Sequence, residues 1–375
     1  MILNMKQKLR LSFFLTVFMV VASFAQVTTS KIQGVVNDEN NEGLFGANVI
    51  ATHEPTGTVS GTMTLDGGRF NLPNLRIGGP YTISISFVGY QTMEYTDVYL
   101  DLGSAFDLNV QMVNDSNQLE EVVITSTKSS TFNNSRTGAE TSVGKRELTQ
   151  LPTISRSAAD FTRLDPTASG GSFGGANDQF NNFTLDGSIF NNPFGLDAAT
   201  PGGQTNAQPI SLDAIEQISV SRAPYDVTLS GFTGASVNAV TKSGTNKISG
   251  TVYGYYRNQD LTGGKVKGDD IFVPKLEQTQ YGVSVGGPII KNKLFFFANF
   301  EKDERTDLGQ TWAPNTGTGA INESRVLESD LMEVQTLLRS IGYDPGAYEG
   351  YTHASNSTKG IFKLDWNVNE NHRLA

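Results

Sequence analysis

The sequence predicts a mainly β protein in three successive parts: a small β-sandwich, an α+β domain, and the first strands of a truncated transmembrane antiparallel β-barrel. Three observations predict it. A secretory signal opens the chain, no later stretch approaches the length of a spanning helix, and from Lys247 onward long strands alternate apolar and polar residues. An exported chain without a spanning helix enters a membrane only as β-strands, because in lipid every backbone N–H and C=O needs a partner within the protein.

Composition narrows the class. Of the 375 residues 18% are charged and 39 are glycine, below the ~25% and above the ~7% usual in soluble domains, which argues against a helical cytosolic enzyme. The absence of cysteine excludes a disulfide scaffold, a thiolate metal site, a c-type haem attachment and a cysteine nucleophile. With 28 basic against 38 acidic residues, a net charge of −10 and no basic cluster, nucleic acid is not an expected partner.

At the N-terminus Lys6, Lys8 and Arg10 precede a largely apolar run from Leu11 to Ala22, and Ser23-Phe24-Ala25 supplies small residues for a signal peptidase cutting between Ala25 and Gln26. The run falls well short of the ~20 residues a spanning helix needs. Residues 1–25 therefore read as a removable signal peptide, and its loss leaves a mature net charge of −13.

Residues 31–113 have period two, with Ile32, Gly34 and Val36 in one run and Thr82 to Phe87 in another, separated by turn residues. The pattern predicts a small antiparallel sandwich. Asp66-Gly67-Gly68, between Met63-Thr64-Leu65 and Arg69-Phe70, predicts a tight hairpin, since glycine reaches positive φ without a Cβ clash. Residues 114–136 form a polar linker around one β-prone heptapeptide, Leu119, Glu120, Glu121, Val122, Val123, Ile124 and Thr125. An apolar strand flanked by linker has two readings: it pairs with another protein's sheet edge, or it is an edge strand of the sandwich.

Residues 137–246 mix short strands, a helix around Ser157 to Leu164, and the glycine- and asparagine-rich loops Gly170 to Gly175 and Phe180 to Phe183. From residue 247 to 375 four to five barrel strands are expected. Phe362 to Val368 alternates cleanly, Tyr281, Val283 and Val285 share one face, and Leu294, Phe296, Ala298 and Phe300 share another. Strands of about ten residues cross a bilayer. Their connections are long from Asn258 to Leu276, short from Pro288 to Asn292, long from Glu304 to Asn356 and short from Asn369 to His372, the asymmetry of outer-membrane barrels. The second long loop carries Leu327, Leu331, Val334, Leu337, Leu338 and Ile341 at helical spacing, with Gly342 as a stop.

No catalytic, metal or cofactor site is expected. Asp38, Asn40, Glu42 and Gly43 mimic the start of a calcium loop, but Val49 stands where the bidentate glutamate belongs. His53, His353 and His372 lack metal-ligand spacing and read as solvated surface residues. Gly263-Gly264-Lys265 lacks the spacing of a phosphate loop, and no G-x-S-x-G elbow occurs.

Several segments together resemble the TonB-dependent outer-membrane receptors of Bacteroidota, most nearly the Oar-like branch and more distantly the SusC-like transporters. Gly34-Val35-Val36, Gly46 to Val49, Asp66 to Phe70 and Val88-Gly89-Tyr90 are similar to the carboxypeptidase regulatory-like domain of such receptors, with departures at Phe45 and at Gly78-Gly79-Pro80-Tyr81. The heptapeptide Leu119 to Thr125 is similar to their TonB box. Asn182 to Gly187, Asp213 to Val220 and Gly234 to Gly244 resemble the plug, with Arg222-Ala223-Pro224 in place of the commoner Arg-Gly-Pro, and Gly286 to Phe297 resembles the first periplasmic hairpin of Oar-like barrels. The plug motif then rests on Asp186, Gly187, Arg222, Pro224, Gly234, Lys242 and Gly244.

The resemblance implies a Gram-negative outer-membrane location with the N-terminal domain in the periplasm, and no enzymatic activity. It implies import of a large or scarce ligand through a plugged barrel, energised by TonB, with ExbB and ExbD, pulling on the plug. Outer-membrane lipid, an extracellular ligand and a surface lipoprotein are the other partners it implies. Two rival readings are a barrel-anchored adhesion or matrix protein and a ligand-sensing signal transducer. Because four strands cannot close a barrel, the sequence is expected to be truncated.

Overall fold

The computed structural model describes residues 28–114, 122–125, 140–192, 200–201, 203–205, 207–223, 231–369 and 372–375, with the backbone alone for 122–125 and 204. The chain divides into two compact units, Met1–Pro193 with Ile215–Lys242, and Phe194–Ala214 with Ser243–Ala375.

The first unit begins with the sandwich. Its strands are β1 (Ser30–Asn37), β2 (Asn48–His53), β3 (Thr58–Met63), β4 (Arg69–Leu75), β5 (Gly78–Ser86), β6 (Met93–Leu100), β7 (Ala105–Asp107), β8 (Val110–Gln111) and β9 (Val122–Thr125). One sheet runs β4-β1-β7 with β8 also on β1, and the other runs β3-β2-β5-β6-β9. Alternate residues of the facing strands, Ile32 and Val36, Phe70 and Leu72, Val49 and Ala51, Ile83 and Ile85, close the core. Each such side chain withdrawn from water contributes about 1.5–3 kcal/mol against the entropy of ordering the chain.

Two expectations fail here for physical reasons. Gly67 and Gly68 do adopt φ of 73° and 70°, but β3 pairs with β2 while β4 pairs with β1. The turn is therefore a corner between sheets and not a hairpin, because a turn's residues do not specify which sheet the next strand joins. His53 is not solvated: it ends β2 at 7% exposure, its Nδ1 lies 2.7 Å from the Thr56 hydroxyl, and its ring packs 4.8 Å from that of Tyr81.

The same unit continues with β10 (Glu140–Val143), α1 (Lys145–Gln150), α2 (Ala158–Thr162), β11 (Asn182–Leu185), β12 (Ser188–Ile189), β13 (Ile215–Ser221) and β14 (Ser236–Thr241). Helix α2 lies where its periodicity places it, and the Asp160 carboxylate accepts the backbone N–H of Ser155 at 2.8 Å and of Ser157 at 3.3 Å, satisfying donors at the helix start. The sheet order is β10-β13-β14-β11-β12, which leaves β10 at an edge. Gln217 on β13 donates from Nε2 to Ser142 Oγ at 2.6 Å and to Asp101 Oδ1 of the sandwich at 3.1 Å.

The second unit is an antiparallel meander of β15 (Ser249–Asn258), β16 (Leu276–Ile290), β17 (Leu294–Leu308), β18 (Thr352–Asn369) and β19 (His372–Leu374). The short and long connections alternate as the sequence indicates. The β17–β18 ladder runs further than expected, to Leu308↔Thr352, so the second long loop starts after Leu308 instead of at Glu304. It carries α3 (Glu328–Ser340), and Gly342 just past it takes φ of 82°. At ~3.3 Å per residue, an 18-residue strand outruns the ~30 Å hydrocarbon core and projects past it.

The burial of this sheet is inverted. Tyr281, Val283, Val285, Phe300, Phe362, Leu364 and Trp366 are exposed, whereas Gln280, Ser284, Asn299, Glu301, Lys359 and Asp365 are buried. Apart from Leu276, Phe295 and Phe297, which are buried, the apolar face turns outward and the polar face inward, which is what a strand needs between lipid and a polar interior. Among the described residues no helix is long and apolar enough to cross a membrane.

Candidate functional site

Four neighbouring strands of the second unit place one row of residues side by side: Tyr253 opposite Gly282, Gly282 opposite Glu301, and Glu301 opposite Lys359. Gly282 makes the row work. A Cβ there would lie 2.4 Å from the Tyr253 hydroxyl oxygen and 2.6 Å from the ring Cζ, so only glycine lets the phenol lie across β16. The Tyr253 hydroxyl then donates to Glu301 Oε2 at 2.6 Å, and Lys359 Nζ donates to Glu301 Oε1 at 2.7 Å.

A third donor comes from the connection between β12 and β13. Ser211 Oγ donates to Glu301 Oε2 at 2.8 Å and lies 2.9 Å from the Tyr253 hydroxyl. Ser211 Oγ in turn accepts the backbone N–H of Asp213 at 3.2 Å. Glu301 is 0% exposed and Lys359 9%. A buried ion pair gives little net stability against its desolvation, yet removing one partner strands the other charge. The cluster is thus a polar fastening between a connecting segment and the sheet. Among the described residues no group of three or more His, Asp or Glu is placed to hold a metal ion.

Of the residues expected to carry a plug motif, Asp186, Gly187 and Gly234 lie at the ends of the β11–β14 sheet and act on the backbone. Asp186 and Gly187, at φ 47° and 80°, form the two-residue turn between β11 and β12, the positive-φ pair that matches strand twist. The Asp186 carboxylate also accepts the backbone N–H of Thr241 at 2.9 Å and its hydroxyl. Gly234 sits where a Cβ would be 2.2 Å from Asn181 Oδ1, and that oxygen accepts the N–H of Ala235 at 3.0 Å. Arg222 follows β13 and is half-buried, Lys242 follows β14 and ends the first unit, and Gly244 in the second unit lies against the backbone of Phe296 and Gly287. Pro224 lies outside the described residues, as do Ala25, Gln26, Leu119, Glu120 and Glu121.

Val122, Val123, Ile124 and Thr125 form β9, which runs parallel to β6 at the edge of the sandwich. Of the two readings open from sequence, the backbone adopts the second. Sequence reading missed Ser211, Tyr253, Gly282, Glu301 and Lys359. Glu301 and Lys359 are polar residues whose pairing only the cross-strand register sets, and loop lengths do not fix that register to one residue.

Comparison with known proteins places these parts. Residues 31–113 match the carboxypeptidase regulatory-like domain, and residues 240–323 match an outer membrane beta barrel domain. The TonB-dependent transporter Oar of Myxococcus xanthus is 24% identical over 94% of this chain and 33% of its own length. The TonB-dependent receptor SusC of Bacteroides thetaiotaomicron is 34% identical over 32% of this chain and 10% of its own. The outer membrane transporter YddB from Escherichia coli overlaps 62% of this chain and 31% of its own at 13% identity, with a TM-score of 0.40. The chain spans a third or less of the length of these curated relatives. With a carboxypeptidase regulatory-like domain ahead of an outer-membrane β-barrel domain, the chain is similar to TonB-dependent receptors of the Gram-negative outer membrane.

Proposed function

We propose that this protein imports a ligand across the outer membrane through a plugged barrel, and that TonB, energised by ExbB and ExbD, opens the path by pulling on residues 119–125. The observation that carries the reading is the position of β10. The chain leaving Thr125 enters the plug sheet as this strand, and β10 is an edge strand paired only with β13 among the described residues. A pull on the linker therefore acts first on four backbone pairs, Glu140↔Ser221 to Val143↔Ile218. An edge strand of four residues opens at a small fraction of the global unfolding free energy.

Ser211 supports the same reading from the other side. It precedes β13 by four residues and is fastened to Glu301 by a hydrogen bond of 2.8 Å. A pull transmitted along the chain through β13 reaches Ser211 and loads this hydrogen bond. The ligand is extracellular, and a surface lipoprotein that delivers it fits the same scheme.

The test uses the purified chain and the immobilised C-terminal domain of TonB. Wild-type chain is retained, and the double variant Val122→Pro, Val123→Pro is not, because proline removes two ladder donors. Equal retention of the two would sink the coupling role of this segment and favour a barrel-anchored adhesin.

A further inference from the structure

The sandwich ends its larger sheet in a way that bears on how the coupling strand meets its partner. Strand β9 pairs with β6 in parallel, with Met93 opposite Val122, Glu94 opposite Val123, Tyr95 opposite Ile124 and Thr96 opposite Thr125. Just beyond these pairs Asp97, the next residue of β6, sits at φ 56°. The chain reaches this edge from close by. Asn114 bridges Tyr90, and the backbone N–H of Gln91 donates to Val113 O at 2.9 Å, two residues before β6 begins.

One side of β9 is thereby taken, and among the described residues the other is not. The sheet order β3-β2-β5-β6-β9 places β9 last, and no described strand pairs with its outer side. A strand already extended and aligned, with one row of N–H and C=O groups open, is a template for a further strand. It also lowers the cost of binding, because the segment is ordered before the partner arrives. A pendant peptide would have to lose that freedom on contact.

We propose that the sandwich displays the coupling strand: it holds Val122–Thr125 as its own edge, and an extended strand of TonB adds to the open side of β9, making one continuous sheet from sandwich through β9 into TonB. This rests on the coupling role assigned above to residues 119–125. The sandwich is then part of the docking surface for the energy-coupling partner and not a passive extension. The four described pairs that hold the strand are few enough to let it go under load.

A cysteine lock decides the matter, and a chain without native cysteine makes the lock unambiguous. Glu94→Cys with Val123→Cys places two cysteines opposite each other in the parallel ladder, within the Cα separation a disulfide spans. The full chain carrying both is oxidised, and bond formation is checked by gel mobility with and without reductant. Binding to the C-terminal domain of TonB is then measured beside wild type and the two single-cysteine chains.

Display requires that the disulfide form and that the oxidised chain bind TonB at least as tightly as wild type, with a gain of about two- to tenfold from holding the strand extended. A chain that binds when reduced and fails when oxidised overturns the display while leaving the coupling reading intact, since β9 must then leave β6 to be bound. Failure of the disulfide to form, with both single variants binding normally, overturns it as well, because the register is then not populated. If wild type itself is not retained, the coupling reading falls and the display falls with it.

Discussion

The sandwich and the barrel sheet are written in the same period-two code and folded to opposite effect. In β2 and β5 the apolar set, Val49, Ala51, Ile83 and Ile85, is buried. In β16 to β18 the apolar set, Val283, Phe300, Phe362 and Leu364, is exposed, and the polar set around Glu301 and Lys359 is buried. Alternation thus states that a strand separates two environments and is silent about which of them is the interior. What distinguishes the two sheets is length and connection: strands of 4 to 9 residues in the sandwich sheet of β2 and β5, against up to 18 in the barrel sheet, and loops that alternate short and long only in the latter.

The largest test of this inversion is to remove a buried charge from the polar face. Glu301→Ala leaves Lys359 buried without its carboxylate and frees Ser211 and Tyr253 of their shared acceptor. The expected cost is about 3–5 kcal/mol in chemical denaturation of the membrane-inserted protein. A cost below 1 kcal/mol would mean that water reaches this face and that the polar interior is not closed off. Glu301→Ala with Lys359→Met should recover most of the loss, since no charge is then stranded.

Next in size is an exchange on the exposed faces. Phe362 is 66% exposed in the barrel sheet and Val59 51% exposed in the sandwich, so burial alone treats them alike. If the barrel face meets lipid, Phe362→Arg costs about 2–4 kcal/mol, while Val59→Arg, facing water, stays within about 0.5 kcal/mol. Equal effects would remove the lipid from the argument.

The two regions were also unequally legible from sequence. The sandwich strands, the barrel strands, the helix after Leu327 and the class of the whole follow from local pattern. Local pattern failed at Asp66-Gly67-Gly68, where the turn residues are right and the partner strand is wrong, and at His53, whose neighbours Thr56 and Tyr81 come from a turn and another strand. It failed wholly at the Glu301 cluster, because Ser211, Tyr253, Glu301 and Lys359 meet across 148 residues of sequence through register and through one glycine. Residue types were readable there; adjacency was not.

That glycine gives a third and smaller test. Gly282→Ala puts a methyl group where the Tyr253 ring lies, so the ring lifts and Glu301 loses a donor. The expected cost is about 1–3 kcal/mol. In a Tyr253→Ala background the same substitution should cost little, and the double-mutant cycle isolates the contact. Additive costs would show that the glycine is required by the backbone and not by the phenol.

The smallest effect concerns a second carboxylate of the barrel unit, held without burial. In the long loop after β17, Glu323 Oε1 accepts the backbone N–H of Thr316 at 3.2 Å and of Thr318 at 3.1 Å and both their hydroxyls, while Oε2 accepts the N–H of Gly319 at 3.1 Å. The threonine hydroxyls first, and then their N–H groups, hold the Glu323 pKa down to about 2 from the ordinary 4.5. A depressed carboxylate contributes to loop order fully above pH ~4.5 and loses that contribution as pH falls through about 2. Trp312 lies in this loop, close to the backbone contact of Ala313 N–H with Asn322 O at 2.9 Å. In a Trp366→Phe background it is the only tryptophan and reports on the loop alone. Its emission should hold from pH 7 to below 4 and shift with a midpoint near 2, and Glu323→Gln should remove that transition. A midpoint near 4.5 would place the carboxylate in water, so that hydrogen bonds without burial order nothing outside the membrane, and the contrast with Glu301 would reduce to burial alone.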